Sequence, residues 1–182
     1  VRRERRGGGV AAAFNEGAGL ASCGYLALLE GSDCFAPERI GILVNEIIQR
    51  GGRWGFSRVM PAPGEAGEGG DCDADPQAAM PRSRSFLGAK PNSFTFMEHN
   101  AAVADANLFI ERELFVELGG FVDLPQQPGW DFCVRASERS EPVVVDRPLY
   151  LQRVDPQQAS AESIRRAHDD DLRLAAGFLA RT

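Results

Sequence analysis

The residues able to do chemistry in this chain are acids and arginines gathered at a few places. Glu30 and Asp33 bracket a short polar turn, Glu30-Gly31-Ser32-Asp33, directly after the apolar run Tyr25–Leu29. Acids at the end of a strand in an α/β sheet lie where ligands bind, and carboxylate oxygens suit a hard divalent cation. Asp33 is therefore a metal ligand, or else the cap of its own turn or of the helix that begins near Pro37. Asp131 follows Trp130 at the start of an apolar stripe, where an acid meets the positive end of a helix. Arg135 and Arg153 can donate to phosphate oxygens, and Trp130 offers a face on which a sugar can stack or a core can pack. Asp155 precedes Pro156, a dipeptide that also reads as a turn. The run Asp169–Asp171 reads as a solvated helix surface. Two histidines, His99 and His168, exclude a multi-histidine metal site.

Alternating elements must position these groups. Spacing predicts a helix over 10–24 closed by Gly24, then a strand over 25–29 buried on both faces as in a parallel sheet. A helix begins at Pro37, carries the stripe Ile40, Leu43, Val44, Ile47 and Ile48, and stops at Gly51. A strand follows over 53–60. Residues 61–84 are rich in Pro, Gly and acids and predict a mobile loop without a strand. Beyond it come a strand at 106–110, a helix at 111–118 stopped by Gly119, a helix at 130–138, a strand at 142–145 with an extended 147–151 beside it, and a last helix capped by Ser160. Alternation of this kind defines an α/β fold with a layered sheet.

Bulk properties bound the function. The 182 residues suffice for one domain with a hydrophobic core. A net charge of −6 and a pI near 5.0 argue against nucleic-acid binding through phosphates. No apolar run reaches the roughly 18 residues that span a bilayer, and the start Val-Arg-Arg-Glu-Arg-Arg lacks a signal-peptide apolar core. Four widely spaced cysteines without a CxxC pair read as reduced thiols.

Four patterns, in order, resemble family 2 inverting glycosyltransferases of the GT-A fold. They are Asn15-Glu16-Gly17 through Gly24–Leu29; Glu30–Asp33 followed by Pro37-Glu38-Arg39-Ile40; Asn107-Leu108-Phe109-Ile110 through Phe115-x-x-Leu118-Gly119-Gly120-Phe121; and Trp130-Asp131-Phe132-x-x-Arg135 with Pro148-Leu149-Tyr150-x-x-Arg153. The resemblance covers most of residues 10–160. It implies a GT-A-like mixed sheet flanked by helices, a single partial domain over 1–182 with a flexible loop at about 61–84, and no counterpart of the N-terminal nucleotide-binding part. It also implies Mg²⁺ or Mn²⁺ held by Glu30, Asp33 and Asp155. Arg135 and Arg153 face the diphosphate, Trp130 and Asn107 the sugars, and Asp131 is the remaining acid near the catalytic position.

The implied activity is transfer, with inversion, of a sugar from a nucleotide-diphosphate donor to a glycan or lipid-linked acceptor. The implied setting is bacterial polysaccharide biosynthesis in the cytoplasm, with peripheral membrane association through partners. Three positions depart from the pattern: Ser32 replaces the main metal aspartate, Gly129 the acid before the tryptophan, and Asp155 a histidine. With Gly129 and the missing nucleotide part, the isolated chain is expected to be inactive, a truncated remnant serving as a binding or structural module. The 30–33 turn and the 129–131 segment are expected to meet in one cleft.

Overall fold

The computed structural model describes residues 9–31, 33–61, 92–97, 99–124 and 128–153. Asp155, the helix expected after Ser160 and the expected loop beyond Pro61 lie outside the described residues; Pro61 itself is the last residue of a strand.

Five strands form one mixed sheet: β1 (Tyr25–Ala27), β2 (Cys34–Phe35), β3 (Trp54–Pro61), β4 (Leu108–Glu111) and β5 (Val143–Gln152). Their order is β1-β4-β3-β5-β2. Only β3 and β5 run parallel; β1 with β4, β3 with β4, and β2 with β5 are antiparallel. The 25–29 run is thus corrected. It is a three-residue edge strand paired antiparallel, with Leu26 buried and Ala27 exposed. A five-residue apolar run cannot distinguish the two cases, because the partner strand lies more than eighty residues away.

The expected 142–145 strand and its neighbouring segment are one strand, β5, whose register against β3 shifts between Ser57 and Val59. Gly55 lets the two strands close, since a Cβ there would strike the Val143 carbonyl.

Helices cover both faces. On one face α2 (Arg39–Arg50) packs Leu43 and Ile47 against Phe109, Val143, Val145 and Leu149. Its left-handed stop at Gly51 (φ +63°) is where the sequence places it, although Ile40 and Ile48 of the stripe remain exposed. On the other face α1 (Val10–Leu20), α3 (Arg112–Glu117) and α4 (Pro128–Ser137) pack on Leu26, Trp54, Phe56, Leu108 and Ile110.

Helix α1 ends at Leu20, four residues before Gly24, because Ala21 turns extended (φ −74°, ψ 137°). Asn15 on α1 then grips the chain after α3. Its amide nitrogen donates to the Phe121 carbonyl and its oxygen accepts the Phe121 N–H, both at 2.8 Å. Gly119 (φ +74°) makes that reversal, and Phe121 packs back on Phe115 with ring centroids 5.4 Å apart.

Strand directions decide what sits together. β1, β3 and β5 point the same way, so their C-terminal ends share one end of the sheet with the starts of β2 and β4. The 28–33 connection crosses that end from one edge of the sheet to the other. Residues 105–107, which open β4, lie there too.

Candidate functional site

At this strand end the acidic turn is fastened to β5. The Asp33 N–H donates to the Glu30 carbonyl at 3.0 Å. The Asp33 side chain, 8% exposed, accepts the Tyr150 hydroxyl at 2.5 Å on one oxygen and the Arg153 N–H at 3.0 Å on the other. Helix α2 has no side-chain N-cap bond; Asp33 instead joins the turn to the end of β5. Burial and then the hydrogen bond to Asp33 push the Tyr150 phenol well above its ordinary range. Glu30 is exposed as a residue, and its carboxyl rises through partial burial and then the like charge of Asp33.

Beneath this pair lies an arginine that is 1% exposed, Arg39. Its guanidinium carbon sits 4.9 Å from the Phe35 ring centroid and 5.2 Å from that of Tyr150. One terminal nitrogen donates to the Ser57 hydroxyl, the other to the Asn107 carbonyl at 2.8 Å. Burial lowers its pKa to about 10. Asn107 is fully enclosed. Its amide donates to the Ser57 and Ala102 carbonyls at 2.7 and 2.9 Å, so it holds the start of β4 to β3.

The second part of the site is the start of α4. Asp131, 7% exposed, pairs with Arg135 one turn on, through contacts of 2.7 Å to Nε and 2.6 Å to a terminal nitrogen. Arg135 also donates to the carbonyls of Leu118 at 2.7 Å and Gly120 at 2.8 Å. The pair thereby ties α4 to the glycine reversal after α3. The Trp130 indole N–H donates to the Phe96 carbonyl at 2.7 Å, and the ring packs against the core. Gly129 donates its N–H to Asp105 at 3.1 Å. A Cβ on Gly129 would overlap that same carboxyl oxygen and lie 2.8 Å from the Asp105 Cα.

The structure therefore brings Glu30, Asp33, the Arg153 backbone and the start of α4 to one end of the sheet. The Arg153 side chain is exposed there. Asn107 sits inside the fold, and Asp131 and Arg135 are bound to each other. Sequence reasoning passed over Arg39, Tyr150 and Asp105. Arg39 and Tyr150 lay within quoted motifs, read as a helix start and a strand. Asp105, two residues before Asn107, offers only a turn signal. Among the described residues no group of three or more His, Cys, Asp or Glu side chains is placed to hold a metal ion. Glu30 and Asp33 are a pair of hard oxygen donors, near enough for the Asp33 charge to add to the rise of the Glu30 carboxyl, and Mg²⁺ needs no more than one or two protein carboxylates. No described helix is long and apolar enough to cross a membrane.

The mixed α/β fold is similar to that of a glycosyltransferase of known structure. Solved structures of S. aureus TarS, a glycosyltransferase, are similar to it. TarS 1–349 superposes with a TM-score of 0.55 at 15% identity, covering 80% of this chain and 40% of that one. The same fragment in complex with UDP gives 0.55 at 14%, covering 87% and 44%. A longer TarS structure gives 0.56 at 16%, covering 96% and 31%. The chain spans less than half the length of each. No protein-family model and no curated protein sequence matches it.

Proposed function

We propose that this chain is the metal-turn and acceptor side of a family 2, GT-A glycosyltransferase. It would transfer a sugar with inversion from a nucleotide-diphosphate donor to a glycan or lipid-linked acceptor. The observation that carries the reading is a sheet similar to that of a glycosyltransferase, with the acids Glu30 and Asp33 fastened to the C-terminal end of β5 and residues 105–107, which bond to Gly129, at the start of β4 on that same end. Support for a nucleotide ligand comes from the UDP complex of the similar TarS fragment.

In such a transfer Glu30 and Asp33, with Asp155, would hold Mg²⁺ or Mn²⁺, which when bound offsets the charge of the departing diphosphate. The exposed Arg153 would pair with phosphate oxygens. Trp130, fixed by its bond to Phe96, would border the acceptor. The Asp33–Tyr150 bond, with Arg39 stacked on the Tyr150 ring, fixes Asp33 at the end of β5, which is what positioning requires.

Calorimetric titration of UDP, GDP and TDP, with and without Mn²⁺, into the full-length protein that carries this chain tests the reading. Cation-dependent binding of one nucleotide is expected, weakened by Glu30→Gln. No binding of any would overturn it. A second reading, a non-catalytic module, is favoured by one observation: Asp131 and Arg135 are spent on each other. Nucleotide binding without donor consumption would select it.

A further inference from the structure

Backbone strain falls on one exposed side chain just before β4. Among the described residues Val103 is the only non-glycine with a positive φ, +68°; the other positive values belong to Gly51, Gly119 and Gly120. A three-residue turn closes around it, with the Ala104 N–H donating to the Ala102 carbonyl at 2.8 Å. This is the rare, strained form of such a turn, and a β-branched side chain makes it costlier. Glycine would hold the same φ without that cost.

The surroundings hold the turn in place. Asn100 accepts the Ala102 N–H on its side chain at 3.1 Å and the Val103 N–H on its carbonyl at 3.2 Å. The Ala102 carbonyl also accepts the enclosed Asn107 amide at 2.9 Å. Ala101, Ala102, Ala104 and Ala106 are buried, whereas Val103 is 39% exposed. On either side of the turn the segment is tied to consecutive residues of α4. Phe96 accepts the Trp130 indole N–H, and Asp105 accepts the Gly129 N–H. Val103 therefore stands on a fixed turn mounted on the start of α4, which also carries the tryptophan placed at the acceptor in the reading above.

Strain that the surroundings over-determine clusters at binding and catalytic segments. The group presented here is an isopropyl, which cannot pair with a phosphate or a metal. A sugar ring offers C–H faces between its hydroxyls, and ligand sites combine apolar walls with a few polar groups. We propose that Val103 is a specificity-determining contact of the acceptor site: its isopropyl group, held out by the strained turn, packs on the C–H face of the acceptor sugar. The proposal rests on the glycosyltransferase reading above.

The test uses Val103→Ala and Val103→Gly in the full-length protein that carries this chain, with valine methyl groups isotopically labelled for NMR. The Val103 methyl resonances are those absent from Val103→Ala. UDP, GDP and TDP are first titrated calorimetrically. Methyl glycosides of glucose, galactose and N-acetylglucosamine are then titrated with the binding nucleotide present. At least one glycoside should shift the Val103 methyls, and the nucleotide alone should leave them in place. Val103→Ala should bind that glycoside about tenfold more weakly, the low end for an altered apolar contact, with nucleotide affinity unchanged. Val103→Gly should have a higher denaturant midpoint than Val103→Ala, the reverse of the order at a position of ordinary φ. A midpoint order with Ala above Gly shows that the turn is unstrained and overturns the proposal. A Val103 shift from nucleotide alone, no shift with any glycoside, or equal glycoside affinity in Val103→Ala overturns it too, while the nucleotide-binding reading stands. Failure of all three nucleotides to bind removes both.

Discussion

Asp33 and Asp131 are buried to nearly the same degree, 8% and 7% exposed, yet they are held in opposite ways. Asp131 is neutralised by a guanidinium that also closes two backbone carbonyls. Asp33 is held by neutral donors, a phenol and a backbone N–H. The first arrangement joins secondary structures and leaves no net charge. The second leaves the Asp33 charge facing Glu30 and Tyr150, whose carboxyl and phenol are raised first by burial and then by Asp33. A buried carboxylate is thus an indicator of function only once its partner is known.

The largest effect should come from the paired corner. Arg135→Ala strands Asp131 and leaves the Leu118 and Gly120 carbonyls without this donor. Breaking a buried pair from one side costs about 3–5 kcal/mol, to be read as a fall in the denaturant midpoint. A cost near that of an exposed ion pair would erase the distinction between the two corners. Next in size is Gly129→Ala, whose methyl must displace Asp105. Overpacking of this kind costs about 1–3 kcal/mol. The Asp105→Gly/Gly129→Ala double variant should recover part of the loss in the same measurement. Additive losses would show that the two residues do not compete for that space.

At the other corner, Tyr150→Phe removes one donor to Asp33 and should cost about 1.5 kcal/mol, the low end for a bond to a charged group. Its pH dependence is the sharper readout. The folded phenol titrates above its unfolded value near 10. Its contribution is therefore complete below that value and is lost as pH climbs toward the folded one. The unmodified chain should lose stability above about pH 10, and Tyr150→Phe should lack that component. Parallel alkaline limbs in the two proteins would contradict the phenol–carboxylate bond.

Much of this frame was legible locally. The stripe of α2, its stop at Gly51 and the reversal at Gly119 with Phe121 folding back follow from spacing and from glycine's access to positive φ. What escaped depends on partners distant in sequence. The pairing of β1 is set by β4, and the burial of Arg39 by two rings and the Asn107 carbonyl brought over it. Asp105 escaped for the same reason. At Gly129 the sequence shows only a missing side chain, whereas in space Asp105 occupies the volume that side chain would take.

The smallest expected effect tests whether the neutral-donor corner is poised for a cation. The Glu30 carboxyl is raised above its ordinary value by partial burial and by Asp33. A carboxyl raised on folding contributes stability below its unfolded pKa and loses that contribution as pH rises through the folded value. Glu30→Gln cannot ionise. It should therefore match the unmodified chain in acid, where Glu30 is protonated, and be slightly more stable at neutral pH, where like charge otherwise sits beside Asp33. A bound divalent cation reverses the sign, because it favours the ionised pair. Mn²⁺ should accordingly raise the melting temperature of the unmodified chain more near pH 7 than near pH 4, and do so less in Glu30→Gln. Equal Mn²⁺ shifts in both proteins would remove Glu30 from the cation site. A Glu30→Gln variant less stable at neutral pH would show that the carboxylate is engaged by a favourable partner rather than opposed by Asp33.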